Sequence, residues 1–138
     1  MKPADRKKVY RLIDANLNRA KEGLRVCEDL FRFIKDDRAL TRSFKNLRHE
    51  LTDAVGTLKI KKYVQDRAIE KDVGKKTSVS ETKRSDVNDV LFANMQRIKE
   101  SIRVLEEFTK LVDAKASQVF KTLRYKFYAI EKRVIKKS

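Results

Sequence analysis

The chain carries the same segment twice. The stretch ANLNRAKEGLRVCEDL (15–30) returns as ANMQRIKESIRVLEEF (93–108). When residues 15–34 are aligned with 93–112, eight of the twenty positions are identical. A shorter match follows each copy, FKNLRHEL (44–51) and FKTLRYKF (120–127). A chain of 138 residues has room for one core but not for two independent ones. The repeat therefore predicts two similar halves packed into a single domain over 1–138.

Composition and periodicity favour helices. Charged residues make up 40% of the chain, and there are only three glycines and one proline to form the tight turns of a β-sheet. Apolar residues recur at spacings of three and four in four separate runs, which is typical of amphipathic helices. We therefore predict an all-α protein, a four-helix bundle built from two repeated helical hairpins with a long central loop.

The apolar stripes set approximate bounds for these elements. We expect repeat one over about 5–58, the loop over about 59–84 and repeat two over about 85–136. Helix starts are expected after Asp36 or Asp37, after Ser85 or Asp86, and after Asp113, because Asp and Ser favour the N-cap. The stripes predict these core positions: Ile13, Leu17, Ala20, Leu24, Cys27, Phe31 and Ile34; Leu40, Phe44, Leu47, Leu51, Val55 and Leu58; Val87, Leu91, Met95, Ile98, Ile102, Leu105 and Val112; Phe120, Leu123, Phe127 and Val134.

Net charge, apolar runs and cysteine content limit the kinds of partner, location and chemistry that we expect. The net charge of +15 predicts an anionic partner: nucleic acid, a membrane surface or a phosphorylated metabolite. The sequence shows no apolar run of membrane-spanning length and no secretory signal pattern, so we expect a cytoplasmic protein without a membrane partner. The lone Cys27 is expected to be a small buried hydrophobe rather than a nucleophile.

The repeat conserves polar residues on helix faces that adjoin the apolar stripe. On the helical wheel Asn16 points into the stripe, and Arg19 and Glu22 lie along its shoulder. The same places on the third helix belong to Asn94, Arg97 and Glu100, and in the second and fourth helices Arg48 and Arg124 start from the apolar side.

Two arrangements would satisfy these groups, because burying an unpaired guanidinium costs several kcal/mol. One is a polar network of ion pairs together with surface ladders at three-residue spacing, in which Arg25, Glu28, Arg103 and Glu106 fall on the polar side. The other, which the convergence of arginines favours, is an anion-binding cavity between the halves. Arginine suits that role because its planar fork grips phosphate oxygens through two parallel bonds.

The sequence has few of the residues that a catalytic triad, a histidine metal site or a glycine-rich nucleotide loop would need. His49 is the only histidine, which argues against a Ser-His-Asp triad and excludes multi-histidine metal sites. The sequence also contains neither of the familiar glycine-rich nucleotide motifs.

Four ordered motifs resemble a known family. They are DANLNRAKEGLRVCED (14–29), KDVGKK (71–76), ANMQRIKESIRVLEEFTKL (93–111) and LRYKFYAIEK (123–132). Together they resemble the helical phosphomethylpyrimidine kinase domain of thiamine biosynthesis, which is often fused ahead of thiamine-phosphate synthase. The resemblance covers nearly the whole chain and looks like a stand-alone version of that domain.

The resemblance implies that ATP phosphorylates hydroxymethylpyrimidine phosphate to the diphosphate, with Mg²⁺ as the expected metal ion. The implied partners are this small phosphorylated pyrimidine and a nucleotide. Carried onto this sequence, it implies the following roles: Arg19, Arg97, Arg48, Arg124, Arg25 and Arg103 as catalytic residues; Asn16, Asn94, Glu22, Glu100, Asp72 and Gly74 as substrate-binding residues; Glu106 and Asp72 as metal ligands. One departure is that Arg67 is followed by Ala68 where the family commonly has Asp, so Asp66 or Asp72 would have to substitute.

Three alternatives stay open at this point. An isomerase of the chorismate mutase type also binds dianions through arginines between helices. A nucleic-acid-binding module would explain the net charge, although aromatic residues spaced for base stacking are not evident, so nucleic acid is not expected. A helical scaffold with a vestigial site is the third. The sequence also leaves the oligomeric state open, including a homodimer.

Overall fold

A computed structural model describes residues 1–56, 58 and 83–137. These residues form four α-helices and contain no strand, which confirms the all-α prediction. The helices are α1 (Pro3–Asp29), α2 (Arg38–Gly56), α3 (Val87–Thr109) and α4 (Ala114–Lys136), and a π-helical turn (Leu30–Ile34) continues α1. Most of the expected central loop, including Asp66, Asp72 and Gly74, lies outside the described residues.

Aspartates begin three of the four helices. Asp37 accepts a hydrogen bond from the Leu40 N–H at 2.9 Å at the start of α2. Asp86 and Asp89 form a reciprocal capping box at the start of α3, and Asp113 accepts from two backbone N–H groups at the start of α4. Each cap satisfies donors that the first helical turn leaves free. The structure thus selects Asp37 and Asp86 from the two pairs of candidates and confirms Asp113.

All four helices contribute to one apolar core. The predicted stripes are buried there, with Val55, Val87 and Val112 half-buried at its edge. Ile34 is the exception, because it is 58% exposed. The Lys35 N–H donates to the Leu30 carbonyl across the π-helical turn, at 3.1 Å. This wider turn interrupts the 100° periodicity on which the prediction for Ile34 depended, so the residue rotates out of the core.

The two hairpins meet mainly along α1 and α3, and α2 also packs against α4. Gly23 lies at the first of these seams. A Cβ atom at Gly23 would stand 2.8 Å from Ile98 Cγ1 and 3.3 Å from the Asn94 carbonyl oxygen. Ser101, which takes the place of Gly23 in the second repeat, is also buried. The absence of a side chain at Gly23 therefore permits the close approach of the two helices.

Cys27 lies in the centre of the core with no exposed surface. Burial raises the pKa of its thiol to about 12, because a thiolate there would lose its hydration. The expectation of a small buried hydrophobe is confirmed. None of the helices in the described ranges is both long and apolar enough to cross a membrane.

Candidate functional site

A buried glutamate–arginine pair joins the two helices of the first hairpin. Glu28, near the end of α1, is 2% exposed. Its carboxylate accepts from Arg48 of α2, with Nε to Oε1 at 3.0 Å and Nη2 to Oε2 at 3.4 Å. Two parallel bonds of this kind fix both the position and the plane of the guanidinium group.

The second hairpin contains the same pair. Glu106 of α3 is 5% exposed, and it accepts from Arg124 of α4, with Nε to Oε2 at 2.7 Å and Nη2 to Oε1 at 3.4 Å. Glu28 and Glu106 occupy corresponding positions of the repeat, as do Arg48 and Arg124. The expectation that both glutamates fall on the polar side is wrong, because each lies on the flank of its helix that faces the other helix of its hairpin.

A second arginine reaches each buried glutamate from the helix surface. Arg25 lies 3.5 Å from Glu28 and 3.7 Å from Asp29. Arg103 lies 3.2 Å from Glu106 and 3.1 Å from Glu107. The predicted pairing of Arg25 with Glu28 at three-residue spacing is confirmed, as is its copy, Arg103 with Glu106. The side chains of Arg25 and Arg103 remain 53% and 54% exposed, so each network extends from the hairpin interior to solvent.

The electrostatics of the second network favour the charged forms. Burial acts to raise the pKa of Glu106, but the hydrogen bond from Arg124 and the positive charges of Arg124 and Arg103 outweigh it, so the pKa lies below its ordinary value. Hydrogen bonds to Glu106 and then to Tyr128 raise the pKa of Arg124. The pair is therefore ionised throughout the physiological range.

Arg48 and Arg124 each pair with a glutamate of their own hairpin. A buried carboxylate without a partner costs several kcal/mol, and these arginines neutralise the two glutamates. The cavity shared between the two halves stays a prediction.

The asparagines behave alike in both repeats. Asn16 is buried, as predicted, and its Nδ2 donates to the Leu12 carbonyl at 2.9 Å. Asn94 is half-buried and donates to the Val90 carbonyl at 2.8 Å. Each amide thus satisfies itself on the preceding helical turn. Arg19 approaches Asn16 Oδ1 at 3.5 Å while remaining exposed.

The remaining predicted residues are exposed or lie outside the described part of the chain. Arg97, Glu22 and Glu100 are exposed, and Glu100 accepts from Gln96 at 2.9 Å. Asp72 and Gly74 belong to the segment that the structure does not describe.

The described residues do not fit a magnesium site. Both carboxylate oxygens of Glu106 already accept bonds from arginines. Within the described ranges no three His, Cys, Asp or Glu side chains group so as to hold a metal ion. An arginine-saturated carboxylate is also a poor ligand for a cation, because the neighbouring positive charges oppose it.

A cleft beside Glu28 was not predicted from the sequence. It has a volume of about 700 Å³ and lies where α1 passes through the π-helical turn into α2. Its walls are formed by Glu28, Arg32, Asp36, Asp37, Arg38, Thr41, Arg42, Lys45 and Asn46. Sequence reasoning missed it because only Glu28, Lys45 and Asn46 among these residues lie in the repeated segments 15–30 and 44–51. The unequal spacing of the two repeats marks its position.

The fold and the paired networks define the class: an all-α protein of two helical hairpins, each closed by a buried glutamate–arginine pair. At the level of family, the ThiD2 family matches residues 11–133, and the chain belongs to it.

Curated relatives named thiamine-phosphate synthase are similar to the chain. The protein of Thermosynechococcus vestitus is 40% identical over 125 residues, covering 90% of this chain and 34% of the relative. The protein of Synechocystis sp. is 39% identical over 137 residues, covering 95% and 37%. That of Rhodopirellula baltica is 36% identical over 130 residues, covering 94% and 35%.

The chain therefore spans about a third of the length of these relatives. No solved structure matches the chain significantly.

Proposed function

We propose that the chain acts in thiamine biosynthesis as an ATP-dependent kinase that converts hydroxymethylpyrimidine phosphate into the diphosphate. The observation that carries the proposal is the match to the ThiD2 family over residues 11–133, which contains every motif of the resemblance. The likeness to one third of proteins named thiamine-phosphate synthase supports a role in the same pathway.

The ion-paired networks support a division of labour among the arginines. Phosphoryl transfer depends on positioned positive charge, because the negative charge of the phosphates must be neutralised as they approach. In the first hairpin Arg48 is occupied by Glu28, and Arg25 is shared between Glu28 and Asp29. We assign these two arginines and their copies, Arg124 and Arg103, to positioning within the hairpins.

Arg19 and Arg97 are the motif arginines that we assign to direct phosphate contact. Both are exposed, and among the described residues Arg19 has only the weak contact with Asn16 to displace. Their guanidinium groups are therefore available to ligand oxygens, with each arginine anchored on a helix that the core holds rigidly.

The acceptor chemistry requires little else from the chain. An oxygen of the substrate phosphate, ionised near neutral pH, attacks the γ-phosphorus of ATP; the bond to the β-phosphate oxygen breaks and ADP leaves. No general base is needed, which is consistent with the exposed position of the lone His49. No step is assigned to Mg²⁺, because the described residues do not fit it.

The direct test is a coupled assay of ADP release from ATP in magnesium-containing buffer, with hydroxymethylpyrimidine phosphate and, in parallel, the free alcohol. We expect turnover of the phosphate alone. Failure to phosphorylate either compound would refute the proposal. Arg19→Ala should then lower kcat/KM at least about a hundredfold with unchanged helix content, whereas Arg11→Ala, an exposed arginine on the same helix, should remain active.

A thermal melt with nucleotide and a nucleic-acid binding measurement separate two of the alternatives. An isomerase of the chorismate mutase type would show no stabilisation by nucleotide in a thermal melt. A nucleic-acid-binding module would show no turnover, and it would bind DNA or RNA with an affinity that falls steeply with salt.

A further inference from the structure

The two repeats are not equally spaced. The first helices of the hairpins correspond at an offset of 78 residues, as with Ala15 and Ala93, whereas the second helices correspond at 76, as with Phe44 and Phe120. The connection inside the first hairpin is therefore two residues longer than its counterpart. All of this extra length falls between α1 and α2, beside the cleft.

The longer connection accounts for the local backbone. The π-helical turn Leu30–Ile34 takes up an extra residue within the helix, and π-helical turns of this kind are frequent at functional sites. Asp36 then adopts a left-handed conformation with φ of 52°, where a residue with a side chain is rare. Asp36 and residues of both the π-helical turn and α2 line the cleft at this point.

The cleft is rich in cations without partners. Arg38, Arg42 and Lys45 of α2 line it, and none of the three makes an ion pair with any described residue. Arg32, from the π-helical turn, is also exposed and lies 4.8 Å over the Phe33 ring.

The acids of the cleft are largely neutralised. Glu28 is held by Arg48 and Arg25. Asp37 caps α2 and pairs with Lys137 at 2.6 Å, and backbone and Lys137 hydrogen bonds hold its pKa below the ordinary value. Only Asp36 is left to offset four cations, so the cleft attracts anions.

The corresponding positions of the second hairpin carry less charge. Arg38 corresponds to Ala114 and Arg42 to Gln118, while Lys45 is matched by Lys121. The buried pairs therefore occur in both hairpins, whereas Arg38 and Arg42 have no cationic counterpart in the second.

We infer that this cleft binds the phosphate groups of a phosphorylated ligand and that the first hairpin alone provides the site. Its volume of about 700 Å³ is within the range of pockets for small organic ligands. Arg38 and Arg42 present planar forks that match phosphate oxygens, and Lys45 adds a point charge. The identity of the ligand, nucleotide or pyrimidine phosphate, rests on the proposed function, but the binding of phosphate does not.

Isothermal titration calorimetry with three probes tests this inference: ATP, hydroxymethylpyrimidine phosphate and inorganic pyrophosphate. The double variant Arg38→Ala/Arg42→Gln gives the first hairpin the residues of the second. We expect it to weaken binding of pyrophosphate, and of whichever organic ligand occupies the cleft, at least about tenfold, since each loses charge-assisted bonds. The matched control Lys115→Gln/Lys121→Gln removes the same charge from α4 and should keep each Kd within about threefold of the wild-type value.

The organic ligand whose affinity falls identifies the source of the phosphate. Wild-type affinity in the double variant, an equal loss in the control, or no binding of any probe by the wild-type chain would overturn the inference. If the wild-type chain shows kinase activity and the double variant binds the probes as tightly as wild type, the phosphate site in the cleft is refuted but the kinase proposal is not. If binding depends on Arg38 and Arg42 but the chain has no kinase activity, the kinase proposal is refuted and the phosphate site is supported.

Discussion

The two hairpins share one interior and differ at one end. Each is closed by a buried glutamate that receives one arginine from the neighbouring helix and another from the surface. At the helix connection, however, the first hairpin has a longer path, a π-helical turn and an open cleft. The comparison teaches that the duplicated motif holds each hairpin together, while the unshared residues beside it distinguish one copy as a binding surface.

The pairs themselves also differ in how completely they are enclosed. Arg124 has a side chain 11% exposed and donates a further bond to the Tyr128 hydroxyl at 3.1 Å. Arg48 is 18% exposed, and its partner Glu28 lines the cleft. The Glu106–Arg124 pair is therefore the more enclosed of the two, whereas the Glu28–Arg48 pair borders the cleft and any ligand that enters it.

The largest expected effect comes from removing one partner of a buried pair. Glu106→Ala leaves the Arg124 guanidinium enclosed without its carboxylate, and it should lower the free energy of unfolding by about 3 kcal/mol. Glu28→Ala should cost about 2 kcal/mol, because Arg48 is more accessible to water. Urea denaturation measures both values. The double variant Glu106→Leu/Arg124→Leu should recover most of the loss, and losses below about 1 kcal/mol at both glutamates would contradict the description of these pairs as structural.

A pH series with Glu106→Gln should give the next largest effect. The pKa of Glu106 lies below its ordinary value in the folded chain, so the ionised group stabilises the protein at neutral pH, and this contribution disappears as pH falls through the folded-state pKa. We expect the variant to be less stable than wild type by about 2 kcal/mol at pH 7, with the difference narrowing below about pH 4. A difference independent of pH between 7 and 3 would show that the charge of Glu106 is not what stabilises the fold.

The smallest effect tests the seam between the hairpins. Gly23→Ala should destabilise the chain by about 1–2 kcal/mol, because the new Cβ would stand 2.8 Å from Ile98 Cγ1. Gly56→Ala is the control, since a Cβ at Gly56 meets nothing within 4 Å. Thermal melts followed by circular dichroism measure both. Equal melting temperatures for wild type and Gly23→Ala would show that the helices adjust without cost.

The sequence predicted the helices well because their signals are local. A stripe such as Leu91, Met95, Ile98 and Ile102 has one way to bury itself, and an aspartate such as Asp113 caps the turn that directly follows it. The outcome for Ile34 shows the limit: the period of 3.6 holds only while the helix does, and nothing in the apolar pattern announced the π-helical turn.

The site was predicted less completely because its partners lie on different helices. The helical wheel correctly predicted that Arg48 starts from the apolar side, but it wrongly predicted that Glu28 lies on the polar face. Which flank of α1 is covered by α2 depends on how the hairpin closes, and the wheel of a single helix does not contain that information. The cleft combines the end of one helix with the start of another. Only the unequal spacing of the repeats carried information about it, and that information concerned length rather than residue type.

Because of its position, Cys27 can report on the opening of the helical bundle. It is the only cysteine in the sequence, it has no exposed surface, and its pKa of about 12 leaves almost no thiolate at neutral pH. A thiol reagent can therefore react with Cys27 only when the helices separate transiently, so the rate of labelling measures the frequency of this opening. Any ligand that tightens the bundle would slow that reaction, without a tag or dye being added to the protein.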